Sequence, residues 1–390
     1  MSAVETEVDL TSCDREPIHQ LGHIQSFGAM LVVSAVEGVA AQTREHVQIA
    51  RLLQVPVAVV AVTKVDLIPE ATLPARLVEI ADALAAQGVT GAELVPCSAT
   101  TAGGTDHLRQ VLARRYTALP ARAAPMGAFL PVDRAFTLAG RGTVVTGTLL
   151  GGALAVGEAL TVQPSGAATV VRGLQARGAA RERVAAGERV AVNLRGIALE
   201  DIARGDVICT GGQGATLCMD VWLTVSDTAP RPVKHMQDLR VLWGTAHEVA
   251  TLRLMGGGQI APGGAGLGQL RFKRPVVGFA GQAAVLRQLS PAATLAGAVI
   301  LDPQATAVGA GDRRRLAVMQ AAQQQDCTAL AAALCAQGRG VALWSDLVRL
   351  ARCDATAALP TGVVRLAPEH IALADDLAAV QTAVVAALQR

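Results

Sequence analysis

The sequence predicts a multidomain fold in which a parallel α/β layer is followed by two antiparallel β-barrels and a helical domain. Three observations predict it. Before Pro120, unbroken Val-rich runs alternate with helical stripes. After Pro120, short alternating segments are punctuated by glycine. From Asp312 onward, the pattern turns helical. Strand–helix alternation implies a parallel sheet covered by helices, whereas closely spaced alternating strands imply barrels.

In the first region AMLVV, Ala29 to Val33, and VPVAVVAV, Val55 to Val62, are suited to strands buried on both faces. Between them TREHVQIARLLQV carries an apolar stripe at Val47, Ile49, Ala50, Leu52 and Leu53. A second helical segment, Leu73 to Gln87, leads through Gly88 to the short strand AELVPCSA, and a third begins near Asp106. FLPVDRAFTL, RGTVVTGTLL and ERVAVNLRG then read as strands of the first barrel. GGQG, Gly211 to Gly214, reads as a linker. CMDVWLTVS, LRVLWGT, HEVATLRLM, GLGQLRFKR and QAAVLRQLS read as the second barrel. Helices are expected near 313–336, 342–352 and 369–389, with GVVRL the only strand-like piece, as in a winged helix. The expected units are 1–30, 31–120, 121–211, 212–305 and 312–390.

Composition limits the function classes. Charged residues are 17% of the chain and the formal net charge is +2, against roughly 25% charged residues in an average soluble protein, so a whole-chain polyanion binder is not indicated. The cysteines Cys13, Cys97, Cys209, Cys218, Cys327, Cys335 and Cys353 are scattered without a C-x-x-C pair. That suits a reducing compartment better than a disulfide framework. Glu5, Glu7 and Asp9 stand where a signal peptide would be basic, and no apolar run reaches the roughly 18 residues of a membrane span. A cytoplasmic protein without a membrane partner is expected.

The first motif with chemical content is VTKVDL, Val62 to Leu67. An Asp carboxylate accepts two hydrogen bonds from N1 and N2 of guanine, which adenine cannot offer, while a Lys stem packs on the face of the base. Thr63, Lys64 and Asp66 follow a buried strand, and Ser98, Ala99 and Thr100 follow another. The alternative is an ordinary surface turn. Together the two loops resemble the back half of a translational GTPase domain, as does the whole stretch Ser34 to Leu67. Thr63, where Asn is usual, is the variant found in selenocysteine-specific elongation factors. The resemblance runs on through Leu130 to Glu158, Ala186 to Ile208 and the segments after Gly244, so that it covers roughly residues 30–390.

That resemblance implies a partial P-loop-type G domain (its C-terminal half, 31–120), two barrels of the elongation factor Tu type (121–211 and 212–305) and a winged-helix-like C-terminal domain. It implies GTP and Mg²⁺ as cofactors, GTP-dependent delivery as the activity, and selenocysteinyl-tRNA and the ribosome as partners. By the same resemblance Asp133, Arg134 and Arg189 surround the selenol of selenocysteinyl-tRNA. A guanidinium can hold a selenolate, whereas serine has no charge to grip. The bland reading of Asp133 and Arg134 is a strand-end ion pair. Arg271, Lys273 and Arg274 are candidate phosphate contacts or a solvated face. Room for one module after Asp312 argues against a grip on the mRNA insertion hairpin.

The phosphate half of the nucleotide site has no counterpart in the sequence. A phosphate loop reads G-x-x-x-x-G-K-[ST], but the lysines are Lys64, Lys234 and Lys273, preceded by Thr, Val and Phe, and no Asp-x-x-Gly occurs. Phosphoryl transfer depends on positioning and on stabilising charge at the phosphates, so no catalytic residue is assigned and no GTP hydrolysis is expected. In that place stands VDLTSCDREPIHQLGHIQSFGAML, Val8 to Leu31, which resembles the N-terminal segment of bacterial phytochromes. There the residue matching Cys13 carries biliverdin, but the pocket that buries a bilin has no counterpart here. Cys13, His19 and His23 supply three ligand types for a metal without an evident fourth, so no metal site is assigned. A fusion of two gene fragments joined near Gly28 to Ser34 is the simplest expectation. The strand Ala29 to Val33 is then expected in the sheet and residues 1–20 are expected to be loose.

Overall fold

The structure is a computed structural model. It describes residues 28–388 apart from 119–123, 126, 139, 141, 212–213, 292, 310 and 354–355, with side chains described as far as residue 382. Cys13, His19, His23 and the expectation for residues 1–20 lie outside the described residues.

The first unit is a parallel sheet of three strands, β1 (Ala29–Ser34), β2 (Val57–Thr63) and β3 (Glu93–Pro96), with β2 in the middle. Val59, Val60 and Val62 of β2 are fully buried because helices cover both faces. Val60 and Val62 pack with Val47 of α1 (Ala41–Leu52) and with Ile80 and Leu84 of α2 (Leu73–Ala85). On the other face, Val59 packs with Val111 of α3 (Thr105–Thr117). β1 therefore docks in the sheet as its sequence predicts.

The next unit is an antiparallel sheet ordered Phe129–Pro131, Val207–Cys209, Ala159–Gln163, Ala167–Ala176, Arg189–Leu194, Gly142–Thr148, Arg134–Leu138. It curls until the first strand lies against the penultimate one, where Asp133 N–H donates to the carbonyl of Thr146 and Leu150 N–H to that of Phe129, each at 2.8 Å. A single apolar core, including Leu130, Val145, Leu160, Val171 and Val192, fills the interior. The third unit is a closed six-stranded barrel. Its last strand, Ala293–Asp302, is absent from the expected strands. The reason is burial on both sides, which removes alternation: only Ala293 and Val299 along it are half-exposed. At Gly297 a β-carbon would stand 2.3 Å from the carbonyl of Leu52, so the glycine is what lets α1 lie against the barrel. The contact also buries Ile49, Ala50 and Leu53 against Val285.

The two barrels meet through Phe129, Val207, Cys209, Val277 and Phe279. Phe129 and Phe279 stand edge to face at 5.2 Å, the geometry favoured by the ring quadrupoles.

The C-terminal unit corrects three expectations. The single helix expected over 313–336 is two helices, α4 (Arg313–Gln324) and α5 (Cys327–Gln337). Gln325 takes a left-handed φ of 58°, and the carboxylate of Asp326 accepts from the N–H groups of Thr328 and Ala329, capping α5. Residues 342–343 are a short strand ahead of α6 (Trp344–Ala351). His370–Leu373, expected as helix, is a strand between Ala342–Leu343 and Val363–Ala367, and α7 begins only at Ala374. Ile371 and Ala372 are buried, so cross-strand packing decides against the local helical pattern. Three helices followed by a hairpin fit a winged helix.

Candidate functional site

β2 and β3 are in register at Val62 and Pro96, and Cys97 N–H donates to the Val62 carbonyl at 2.8 Å. The loops that follow therefore leave the sheet side by side, at the C-terminal edge where open α/β sheets bind ligands. In the first loop Lys64 adopts a left-handed φ of 59° and Val65–Leu67 form a short 3₁₀ turn, leaving Asp66 exposed. In the second, Ser98 is buried; its N–H donates to the Gly103 carbonyl, and its Oγ accepts from Thr101 N–H at 3.2 Å. Ala99 and Thr100 are exposed on that frame. Gly104 closes the loop with φ +76°, and a β-carbon there would lie 2.2 Å from the Pro96 carbonyl. The fold thus brings together all six residues Thr63, Lys64, Asp66, Ser98, Ala99 and Thr100.

A seventh residue joins them. Glu37, in the turn after β1, holds Lys64 Nζ at 3.3 Å. The turn is built by Ser34 Oγ, which accepts from the N–H groups of Val36 and Glu37. Arg76 of α2 pins it from behind by donating to the carbonyls of Ala35 and Val36 at 2.7 and 2.8 Å. The available signal was position alone, since polar residues after a parallel strand fall on the ligand edge.

The arrangement suits a purine that offers adjacent N–H donors to the Asp66 carboxylate. Cys97, beside this loop, is buried, and burial raises its thiol pKa, which disfavours the thiolate. Lys64 is the only lysine at this edge, Lys234 and Lys273 being on the second barrel. No group of three or more His, Cys, Asp or Glu among the described residues is set to hold a metal ion.

The second candidate cluster lies on the first barrel. Asp133 is buried, and its carboxylate accepts a hydrogen bond from the Thr146 hydroxyl and pairs with Arg189 Nη2 at 2.5 Å. Arg134 stands opposite Thr146 and Arg189 opposite Thr148, on the two strands flanking Gly142–Thr148. Thr146 and Thr148 are two residues apart, so both arginines emerge on one face of the sheet. Arg134 is exposed and makes no ion pair among the described residues, while Arg189 remains half open to water at 53%. The result is a two-arginine face with one guanidinium already anchored. The basic run on the second barrel divides differently. Arg271 is spent internally, donating to Gln269 Oε1 and to the Val308 carbonyl at 2.6 Å, whereas Lys273 and Arg274 are exposed. Among the described residues no helix is long and apolar enough to cross a membrane.

Comparison with known proteins agrees with this layout. Residues 21–118 match the model of the elongation factor Tu GTP binding domain, 142–209 that of elongation factor Tu domain 2, and 220–307 that of the selenocysteine-specific elongation factor β-barrel domain. The first match begins at residue 21, inside the stretch 8–31, and no comparison supports the expected phytochrome-like origin of that stretch. Curated relatives include the selenocysteine-specific elongation factors of Desulfomicrobium baculatum, 39% identical over 279 residues, and of Escherichia coli (strain K12), 34% identical over 280. Each alignment covers 70% of this chain and 43% of the relative, so the chain spans less than half the length of either. Among solved structures, a bacterial selenocysteine-specific elongation factor superposes with a TM-score of 0.75 at 22% identity, over 91% of this chain and 57% of that one. Translation elongation factor SelB from Methanococcus maripaludis, in its apo form, gives 0.63 at 21% identity, over 77% and 69%. The fold is therefore that of an elongation factor Tu-like G domain region followed by two β-barrel domains.

Proposed function

We propose that this chain is the guanine-recognising and aminoacyl-tRNA-holding part of a selenocysteine-specific translation elongation factor, a protein that delivers selenocysteinyl-tRNA to the ribosome under control of GTP. The reading is carried by the anchored Arg189 beside the open Arg134 on one face of the first barrel. Burial of Asp133 keeps the Arg189 fork oriented, and the Thr146 hydroxyl holds the other carboxylate oxygen. Two guanidinium groups so placed attract a selenolate, which is ionised at neutral pH, and give nothing comparable to a neutral seryl hydroxyl. The second barrel, locked to the first through Phe129 and Phe279, offers Lys273 and Arg274 to a tRNA backbone.

Asp66 and Lys64 select guanine at the edge of the sheet, and the Ser98 loop supports the base. When bound, GTP with its Mg²⁺ would supply the switch that releases the tRNA. In this polypeptide no residue is assigned to its phosphates. The chain is thus read as a holder of aminoacyl-tRNA whose nucleotide contacts stop at the base.

The test is filter binding of selenocysteinyl-tRNA and seryl-tRNA to the 390-residue chain. Selenocysteinyl-tRNA is expected to bind at least tenfold more tightly, a ratio worth about 1.4 kcal/mol, and Arg189→Met is expected to abolish the difference. Equal binding of the two tRNAs would overturn the proposal.

A further inference from the structure

A second set of buried charges, apart from both candidate sites, joins the second barrel to the C-terminal unit. Asp220 lies in the first strand of the second barrel, Asp302 ends its last strand and Arg315 sits in the first turn of α4. All three are almost completely buried. Arg315 Nε donates to Asp220 Oδ2 at 2.7 Å and its Nη2 to Asp302 Oδ2 at 2.5 Å. The second oxygen of Asp220 accepts from Gln269 Nε2 at 2.7 Å. Arg349 of α6 also reaches Asp302, donating through Nη2 to Oδ2 at 3.4 Å, and pairs with Asp346 at its outer edge. Two carboxylates of the barrel are thus matched by two guanidiniums, one from each of two helices of the C-terminal unit. The surrounding apolar core is shared as well: Leu267 and Leu301 of the barrel pack with Val318, Met319, Trp344 and Leu347.

A buried ion set of this kind adds little to stability compared with an apolar filling. Removing one partner alone is costly, because the charges left behind have neither water nor a counterion. The arrangement therefore penalises any state in which α4 leaves the barrel while the barrel stays folded. We infer that Arg315 is a latch that makes the second barrel and the C-terminal unit one cooperative body, so that a load on the exposed tip of the hairpin, residues 365–370, is passed to the barrel. Arg349 and the buried side of α6 are used for this docking and are unavailable as a nucleic-acid-reading surface. The inference does not depend on tRNA or nucleotide binding.

Hydrogen exchange of the full chain, read by mass spectrometry, tests it. In the parent protein the amides of α4 and α6 should exchange with the same free energy of opening as the barrel strands. Arg315→Met leaves Asp220 without a cation, and α4 and α6 should then exchange about a hundredfold faster than the barrel. Asp220→Asn combined with Arg315→Met restores charge balance, because Asp302 keeps Arg349, and should return exchange to within about tenfold of the parent. Exchange in Arg315→Met that stays with the barrel would overturn the latch. A double variant as open as the single one would overturn it too, since lost packing rather than unbalanced charge would then be the cause. If Arg315→Met does not fold, Arg315→Lys serves instead: a single ammonium cannot fork to both carboxylates, so parent-like exchange in that variant would count against the inference.

Discussion

Arg189 and Lys64 are each held by an acid, Asp133 and Glu37, and only the first was named from the sequence. Asp133 is buried and Arg189 is half exposed, so Arg189→Met takes the Nη2 cation away from a shielded carboxylate. A loss of about 1–2 kcal/mol is expected, below the cost of a fully buried pair because water reaches the arginine side. Chemical denaturation checks this, and an unchanged midpoint would show that Asp133 is solvated. The Lys64–Glu37 pair stands in the opposite case, with both side chains more than half exposed. Glu37→Gln should alter stability by less than about 0.5 kcal/mol. It also frees Lys64 to lie along a base, so guanosine binding should be retained or strengthened; a weaker affinity by titration would show that Glu37 orients the lysine instead. Asp66 and Ser98 were legible because each follows a Val-rich strand whose end is marked by polar residues. Glu37 was not, because its role depends on three strand ends meeting.

At the level of elements, α1 carries the contact between the sheet and the second barrel. Val47 faces the sheet, while Ile49, Ala50 and Leu53 face Val285. His46 falls on the barrel-facing stripe and is buried, and its Nε2 has no hydrogen-bond partner among the described residues. Burial lowers its pKa below the ordinary 6.5, against a smaller raising effect of Glu45. The sign follows directly. The unfolded chain protonates His46 first as pH falls, so this contribution to stability is fully present above 6.5 and is lost progressively below it. The thermal midpoint should therefore fall between about pH 7.5 and about pH 5.5, and fall less in His46→Gln. Equal slopes for the two proteins would remove His46 as the cause. The stripe itself was readable from helical spacing. Which part of it meets a barrel was not, and neither was the strand Ala293–Asp302, since burial on both sides erased the alternation that marks a strand.

For the whole molecule, the decisive feature is what the 390 residues bring to a nucleotide. The two loops proposed to recognise guanine lie at the sheet edge, yet the chain contains no Gly-Lys pair and no Asp-x-x-Gly. Transition-state charge in phosphoryl transfer falls on the phosphate oxygens and is stabilised there by backbone N–H groups, lysine and metal. We expect no GTP turnover by this polypeptide and nucleotide affinity weaker than micromolar. Phosphate release under single-turnover conditions measures the first and equilibrium dialysis the second. Turnover with micromolar or tighter binding would mean that residues outside the two loops hold the phosphates.

The sequence by itself determined the order and kind of the units. Runs of valine, glycine-punctuated alternation and helical spacing are local patterns, and each reports how one segment is buried. It also marked the two loops that follow β2 and β3, since their residues are contiguous and end buried strands. Tertiary structure alone decided that Asp133 shields itself under Thr146 to hold Arg189, that Glu37 meets Lys64, and that Asp220, Asp302 and Arg315 close a charge set between two units. It also turned His370–Leu373 from helix to strand. In each case the deciding energy comes from desolvation or packing between segments distant in the chain, which no local pattern of residue types records.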